Sequence, residues 1–187
     1  SRFGESFEVD PGQSGLAELG LIAGHRVHRR YTDRDVTLSL MRLLCACALS
    51  APSKSDLQQA DILIVRDKGR REEIAELLPE MPWVIEAPVF LVFLANARRL
   101  PFIAGQRGKP FPNDHLDLFF NATVDAALVL TTFMRAAEAV GLGCCPISVI
   151  RDHSATVSRM LGLPDKVFPI AGMCVGWPAE QGGITPR

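Results

Sequence analysis

Six consecutive positions, His25-Arg26-Val27-His28-Arg29-Arg30, hold five basic-type side chains. Clustered donors of this kind suit a phosphate group, because the planar guanidinium fork matches its oxygens. A solvated basic turn has the same composition. A second segment, Ala51-Pro52-Ser53-Lys54-Ser55-Asp56-Leu57-Gln58, gathers hydroxyl and amide groups between a helix and a strand. By itself it reads as an ordinary polar loop. Gly141-Leu142-Gly143 closes a helix and runs into Cys144-Cys145-Pro146, so it is not a dinucleotide loop. Gly105-Gln106-Arg107-Gly108-Lys109 has the wrong spacing for a P-loop, with Pro110 where Ser or Thr belongs. The sequence contains no GxSxG nucleophile elbow, CxxC or HExxH. Mononucleotide binding through dispersed basic and hydroxyl groups stays open.

Five cysteines, Cys45, Cys47, Cys144, Cys145 and Cys174, are an odd number, and no secretion signal precedes them. Reduced thiols in the cytoplasm are the expectation. Cys45 and Cys47 fall two apart on an expected helix and point to nearly opposite sides. Cys144 and Cys145 are neighbours on an expected strand and also diverge. Buried small thiols explain them better than a metal site, and no metal is expected.

These residues must be positioned by a chain of 187 residues, enough for one domain with a core. Hydrophobic residues make up 48% and charged ones 22%, which excludes a disordered tail. Lys plus Arg number 20 against 21 for Asp plus Glu, giving no global attraction to nucleic acid. The chain opens on Ser1, without an initiator methionine or the basic-then-apolar order of a secretion signal. No membrane partner is expected. Residues 1–12 read as a flexible arm on a single domain covering 1–187.

Apolar spacing predicts a helix over 16–23, with Ser14 as its cap, and another over 36–49 capped by Thr32 or Asp33. A strand is expected over 59–66. A charged helix follows over 69–78, with Arg70 and Arg71 as surface arginines. The run 89–94 is apolar throughout, hence a central strand buried on both faces. Segment 98–114, with three prolines and two glycines, reads as the longest loop. Residues 115–140 form the longest helical pattern and are apolar nearly all round, which requires burial against both the sheet and a second subunit. Strands over 144–150 and 167–176 flank a helix over 154–161, stopped by Gly162 and Pro164. Strands separated by helices indicate an α/β or α+β sheet core.

Several pieces stand in a shared order: His25-Arg26-x-x-Arg29-x-Tyr31-Thr32-Asp33, Ala51-Pro52-Ser53-x-Ser55-x-x-Gln58, and Ala87-Pro88 before an apolar strand. Further on come Ala136-Ala137-Glu138-Ala139-Val140-Gly141-Leu142-Gly143, Ile147-Ser148-Val149-Ile150-Arg151, Leu161-Gly162-Leu163-Pro164, and Val175-Gly176-Trp177-Pro178-Ala179-Glu180. Together, over residues 24–187, they resemble the nitroreductase/flavin reductase superfamily. The His-Arg opening and the Gly-Trp-Pro-Ala ending are most similar to its oxygen-insensitive NADPH nitroreductase branch. The resemblance implies an α+β nitroreductase-like fold: a central mixed sheet surrounded by helices, with a long buried helix at a homodimer interface. It also implies bound FMN, NAD(P)H as the reducing co-substrate, and a nitroaromatic, quinone or free flavin as the small-molecule acceptor. Carried over residue by residue, His25, Arg26, Val27 and Arg29 fall at the phosphate and ribityl end. Ser53 and Gln58 fall beside the flavin. Pro146, Ile147, Ser148 and Val149 fall where backbone approaches the isoalloxazine edge, and Arg187 where a late basic residue grips phosphate. FMN would carry the chemistry, so no catalytic acid or base is nominated.

The chain departs from the branch pattern at Val27, where Ser is usual, at Ser148 and Val149, where Gly-Gly is common, and at Thr185 in place of Lys. It ends at Arg187, where related proteins continue with a segment that embraces the partner subunit and helps to bind NADPH. A non-turnover FMN-binding or redox-sensing protein, and a specialised member such as a reductive dehalogenase, are alternative readings.

Overall fold

The structure, a computed structural model, describes residues 2–184. Along β2 (Val89–Asn96) apolar side chains fill both faces of the strand. Phe90, Val92 and Leu94 join one buried cluster, while Leu91, Phe93 and Ala95 join another. β2 lies inside a sheet with β1 (Ala60–Ile64), β3 (Gly143–Ile147) and β4 (Val167–Gly176), in the order β1-β2-β4-β3. All three pairings are antiparallel. Among the described residues, the parallel component of the sheet is one isolated bridge at its edge, Val27 to Cys144; Tyr31 adds an antiparallel bridge to Pro178.

One sheet face is covered by α2 (Leu38–Ala48) and α6 (Leu116–Ala139), through residues such as Met41, Leu44, Ala122, Ala126 and Phe133. Phe133 meets Phe93 edge-on, with ring centroids 5.7 Å apart. The other face carries α3 (Lys68–Glu76), α4 (Trp83–Glu86) and α7 (Ser154–Leu161), through Ile74, Val84, Val157 and Leu161. Cys144 falls in the first cluster and Cys145 in the second, as adjacent strand residues must. α1 (Leu16–Ala23) buries none of its residues. Arg2 fastens its end by donating to the carbonyls of Ala23, at 2.8 Å, and His25. Glu18 reaches Arg135 of α6 at 2.8 Å.

The expected loop 98–114 contains a helix, α5 (Arg99–Gln106). Pro101 lies in its first turn, where a missing N–H breaks no intrahelical bond. Leu100, Ile103 and Ala104 supply helical spacing, and Gly108, at φ +59°, lies just past its end. β3 stops at Ile147, and residues 148–153 turn as 3₁₀ helix. α2 is capped by Thr37, whose Oγ1 accepts the Leu40 N–H at 3.2 Å, in place of Thr32 or Asp33. α1 begins at Gly15, at φ +81°, without a side-chain cap from Ser14. Arg71 is a structural residue: its guanidinium donates to the carbonyls of Val84 (3.0 Å), Ile85 (2.7 Å) and Ala87. Arg70 remains exposed.

Within one chain α6 is not buried all round. Leu116, Phe120, Val124 and Leu128 recur every four residues on one side and are 38–77% exposed. The helix is long and apolar enough, by length and composition, to cross a membrane. Its other side lies in the sheet core and includes the buried Asp125, which marks it as a core helix with one uncovered side.

Gly172 of β4 lies against the fully buried Phe90, and a Cβ there would sit 2.7 Å from Phe90 Cζ. Gly172→Ala is expected to cost about 1–3 kcal/mol by overpacking. Urea unfolding should show a lower midpoint with an unchanged slope.

Candidate functional site

Residues 24–31 run along the outer edge of β3. Val27 forms the bridge to Cys144, and the His28 N–H donates to the Cys144 carbonyl at 3.0 Å. The His28 ring occupies the space a side chain at position 143 would need; a Cβ there would lie 2.7 Å from its Cγ. Tyr31 Oη donates to the His28 carbonyl at 2.6 Å. His25 Nδ1 is hydrogen-bonded to Glu138 Oε1, near the C-terminal end of α6. Glu138 also takes Arg135 at 2.6 Å. Arg26 donates to the carbonyls of Gly24 (3.2 Å) and Gly182 (3.1 Å), tying the basic segment to the chain beyond β4. A Cβ on Gly182 would stand 2.9 Å from the Val27 carbonyl oxygen, so only glycine allows this approach.

Arg29 and Arg30 face outward. The Arg29 guanidinium lies 5.2 Å from the centre of the Trp83 ring, and Arg30 pairs loosely with Glu180 at 3.6 Å. They line an open cavity of about 610 Å³ with Val27, His28 and Trp83. A second cavity, of about 740 Å³, is lined by Arg26, α1, Glu138 and residues 178–181. His28 borders both, and its Nδ1 is buried without a hydrogen-bond partner among the described residues. Burial, and then the Arg26 charge, hold its pKa below the usual histidine value, so the ring is neutral at neutral pH.

The hydroxyl and amide loop is organised by another carboxylate of α6. Asp125, 1% exposed, accepts the N–H of Lys54 at 3.1 Å and that of Gln59 at 3.0 Å. Ser53 Oγ accepts the Gln58 N–H at 3.2 Å. Between these anchors Ser55, Asp56 and Gln58 take φ of 50°, 54° and 50°, the left-handed region that non-glycine residues avoid. Such backbone persists only where its surroundings hold it. Arg99 of α5 donates to the Gln58 carbonyl and to Asp61 at 3.0 Å, closing the outside of the loop.

The structure brings His25, Arg26, Val27 and Arg29 beside the strand that leads into Pro146, Ile147, Ser148 and Val149. Val27, Ile147 and Val149 share one apolar cluster, and Ser148 is exposed. Ser53 and Gln58 lie elsewhere. Their anchor Asp125 is about 20 Å along α6 from Glu138, the anchor of His25, at 1.5 Å per residue. Arg187 lies outside the described residues. Sequence reasoning missed Trp83, Asp125 and Gly182. Asp125 left a signal, a lone acid in an apolar helical pattern. Trp83, in a four-residue helix, left none.

The nitroreductase family profile matches residues 22–177. The chain is 36% identical over 169 residues to an FMN reductase [NAD(P)H] of Bacillus subtilis, covering 89% of this chain and 68% of that protein. It is 34% identical over 172 residues to the oxygen-insensitive NADPH nitroreductase of Salmonella typhimurium, covering 90% and 69%. Its fold superposes on NfrA2 of B. megaterium with a TM-score of 0.86 at 34% identity, covering 90% of this chain and 69% of the other. An α+β sheet edged by a basic segment, with this breadth of likeness, defines the class. The chain belongs to the nitroreductase family.

Asp125→Ala is expected to cost about 2–4 kcal/mol, since two backbone N–H groups lose their acceptor. Asp125→Asn, which keeps one oxygen, should cost less. Urea unfolding measures both, and in Asp125→Ala the Gln59 amide should exchange faster with solvent.

Proposed function

We propose that this chain is an FMN-dependent oxidoreductase of the nitroreductase/flavin reductase type, using NAD(P)H to reduce a nitroaromatic, a quinone or free flavin. One observation carries the reading: the basic segment is docked on a sheet edge with Arg29 and Arg30 lining an open cavity beside Trp83. A solvated basic turn would need none of these anchors. The names of the relatives, an FMN reductase and an NADPH nitroreductase, agree with it.

The residues present fit FMN. The orphaned Nδ1 of His28 borders both cavities, and the arginines are donors suited to a phosphate. In this reading Arg26 and Arg29 hold the phosphate end, with His25 and Val27 shaping the adjoining backbone. Val27 is tolerated where relatives carry a hydroxyl because its side chain packs in the core cluster. Pro146, Ile147, Ser148 and Val149 would border the flavin edge. When bound, FMN supplies the redox chemistry, taking a hydride equivalent from reduced nicotinamide and passing electrons to the acceptor. The chain's own residues bind and orient; none is assigned as a catalytic acid or base.

Ser53 and Gln58 enter this site only from a second subunit. In one chain Asp125, the anchor of their loop, lies about 20 Å along α6 from Glu138, the anchor of His25, at 1.5 Å per residue. The uncovered stripe Leu116, Phe120, Val124 and Leu128 supplies the surface for a homodimer. All five cysteines are free, as expected in the cytoplasm, which is the proposed location.

Arg26→Ala should weaken FMN binding by roughly ten- to a hundredfold, corresponding to about 1.5–3 kcal/mol for a charge-assisted contact. Riboflavin, which lacks the phosphate, should respond far less, and Arg70→Ala should leave both affinities unchanged. Equal affinities across the set, by fluorescence titration at fixed salt, would sink the phosphate assignment.

Light scattering at micromolar concentration should give twice the chain mass. Val124→Asp should shift the protein toward the single-chain mass while it stays folded. A folded wild-type monomer would refute the shared site.

A further inference from the structure

Cys145 of β3 and Cys174 of β4 are directly opposite in the antiparallel register. Opposite residues project to the same face, and both lie in the cluster beneath α3, α4 and α7. The Cys144 carbonyl faces outward to the His28 N–H. Backbone groups alternate along an antiparallel strand, so those of Cys145 face inward and make a hydrogen-bonded pair with Cys174. Such a pair has its Cα atoms about 5.5 Å apart, within the ~4.4–6.8 Å that a disulfide spans, while its Cβ atoms, at the long end of about 4.5–5.5 Å, must close toward ~3.5–4.5 Å, which makes the link strained and readily reduced. Both thiols are free. The Cys174 thiol donates to the Trp83 carbonyl at 3.5 Å.

We propose that Cys145 and Cys174 form a reversible cross-strand disulfide when the protein meets a hydroperoxide. The two thiols are not equivalent. Burial raises the pKa of both, but at Cys145 it is opposed by Arg29 and Trp83, which line the 610 Å³ cavity. At Cys174 burial pushes the thiol above the usual range, and among the described residues the Arg71 charge opposes it. Cys145 is therefore the thiol that reacts first. Burial slows this attack, and two features of the edge offset it. Pro146, next in β3, has no N–H to give to any partner. Among the described residues the ladder on the outer side of β3 is one isolated bridge at Val27, so local opening begins at this edge of the sheet.

The step balances as follows. Cys145 loses its proton to solvent and the thiolate sulfur attacks one oxygen of hydrogen peroxide; the O–O bond breaks and hydroxide leaves, taking up that proton as water and giving a sulfenic acid. Cys174 sulfur then attacks Cys145 sulfur, and the S–O bond breaks. The Cys174 proton leaves with the oxygen as a second water, and the S–S bond forms. Two sulfurs are oxidised by two electrons in total, and the peroxide is reduced. A thiol reductant reverses the link.

The test uses the whole purified chain, freed of reductant and treated with hydrogen peroxide. Titratable thiols after denaturation should fall from five to three. Peptide mapping should find one linked pair, Cys145 with Cys174, and dithiothreitol should restore all five thiols. Cys145→Ser and Cys174→Ser should each abolish the link, while the Cys45→Ser/Cys47→Ser double variant should form it as the wild type does. Five thiols persisting under peroxide that oxidises a small thiol overturns the proposal. So does a link between other cysteines, or Cys145 sulfinate without a link. Wild-type mapping alone decides the matter if a serine variant fails to fold, and none of these outcomes depends on flavin binding.

Discussion

Two carboxylates on one helix, Asp125 and Glu138, fix the basic segment and the hydroxyl and amide loop. Asp125 accepts backbone N–H groups from the strained loop before β1, and Glu138 holds His25 at the start of the basic segment. α6 is rigid along its length, so the spacing between these anchors is set by helical rise and cannot be adjusted by either segment. The helix thereby acts as a ruler. Its apolar inner side positions it on the sheet, its acids position the loops, and its uncovered outer side is left for another surface.

Much of the architecture was legible because its signals are local. The apolar run at 89–94 implied a strand covered on both sides, and two clusters cover β2. Helix 154–161 and strand 167–176 were bounded by Gly162, Pro164 and Gly176, whose backbone preferences need no tertiary context. Segment 98–114 misled because prolines and glycines were counted without position. Pro101 in a first turn is compatible with a helix, and Gly108 past the last turn favours its end. Caps failed for a related reason, since several hydroxyl and acidic residues precede α2 and only geometry selects Thr37.

The site was legible as composition and order, less so as proximity. The donors at 25–30 and the loop 51–58 stood out by residue type, but nothing local states that a helix separates them. Trp83 illustrates what is invisible. It lies in the sequence among prolines and aliphatics, and only the sheet order brings it beneath Arg29. Arg71 shows the converse: in a charged run it is indistinguishable from Arg70, yet it satisfies three carbonyls at the turn before β2.

The strand order carries a consequence for biosynthesis. β4, the last of the four strands in the chain, lies between β2 and β3. A nascent polypeptide emerging from the ribosome without residues 167–176 has two strands with open edges and no partner to join them. It also has the apolar inner side of α6 without a complete sheet to rest on. Such edges are templates for pairing with other chains. The sheet centre therefore closes only after residues 167–176 have been synthesised, through contacts of long sequence separation that form slowly. Until then the exposed edges of β2 and β3 are what a chaperone would need to shield.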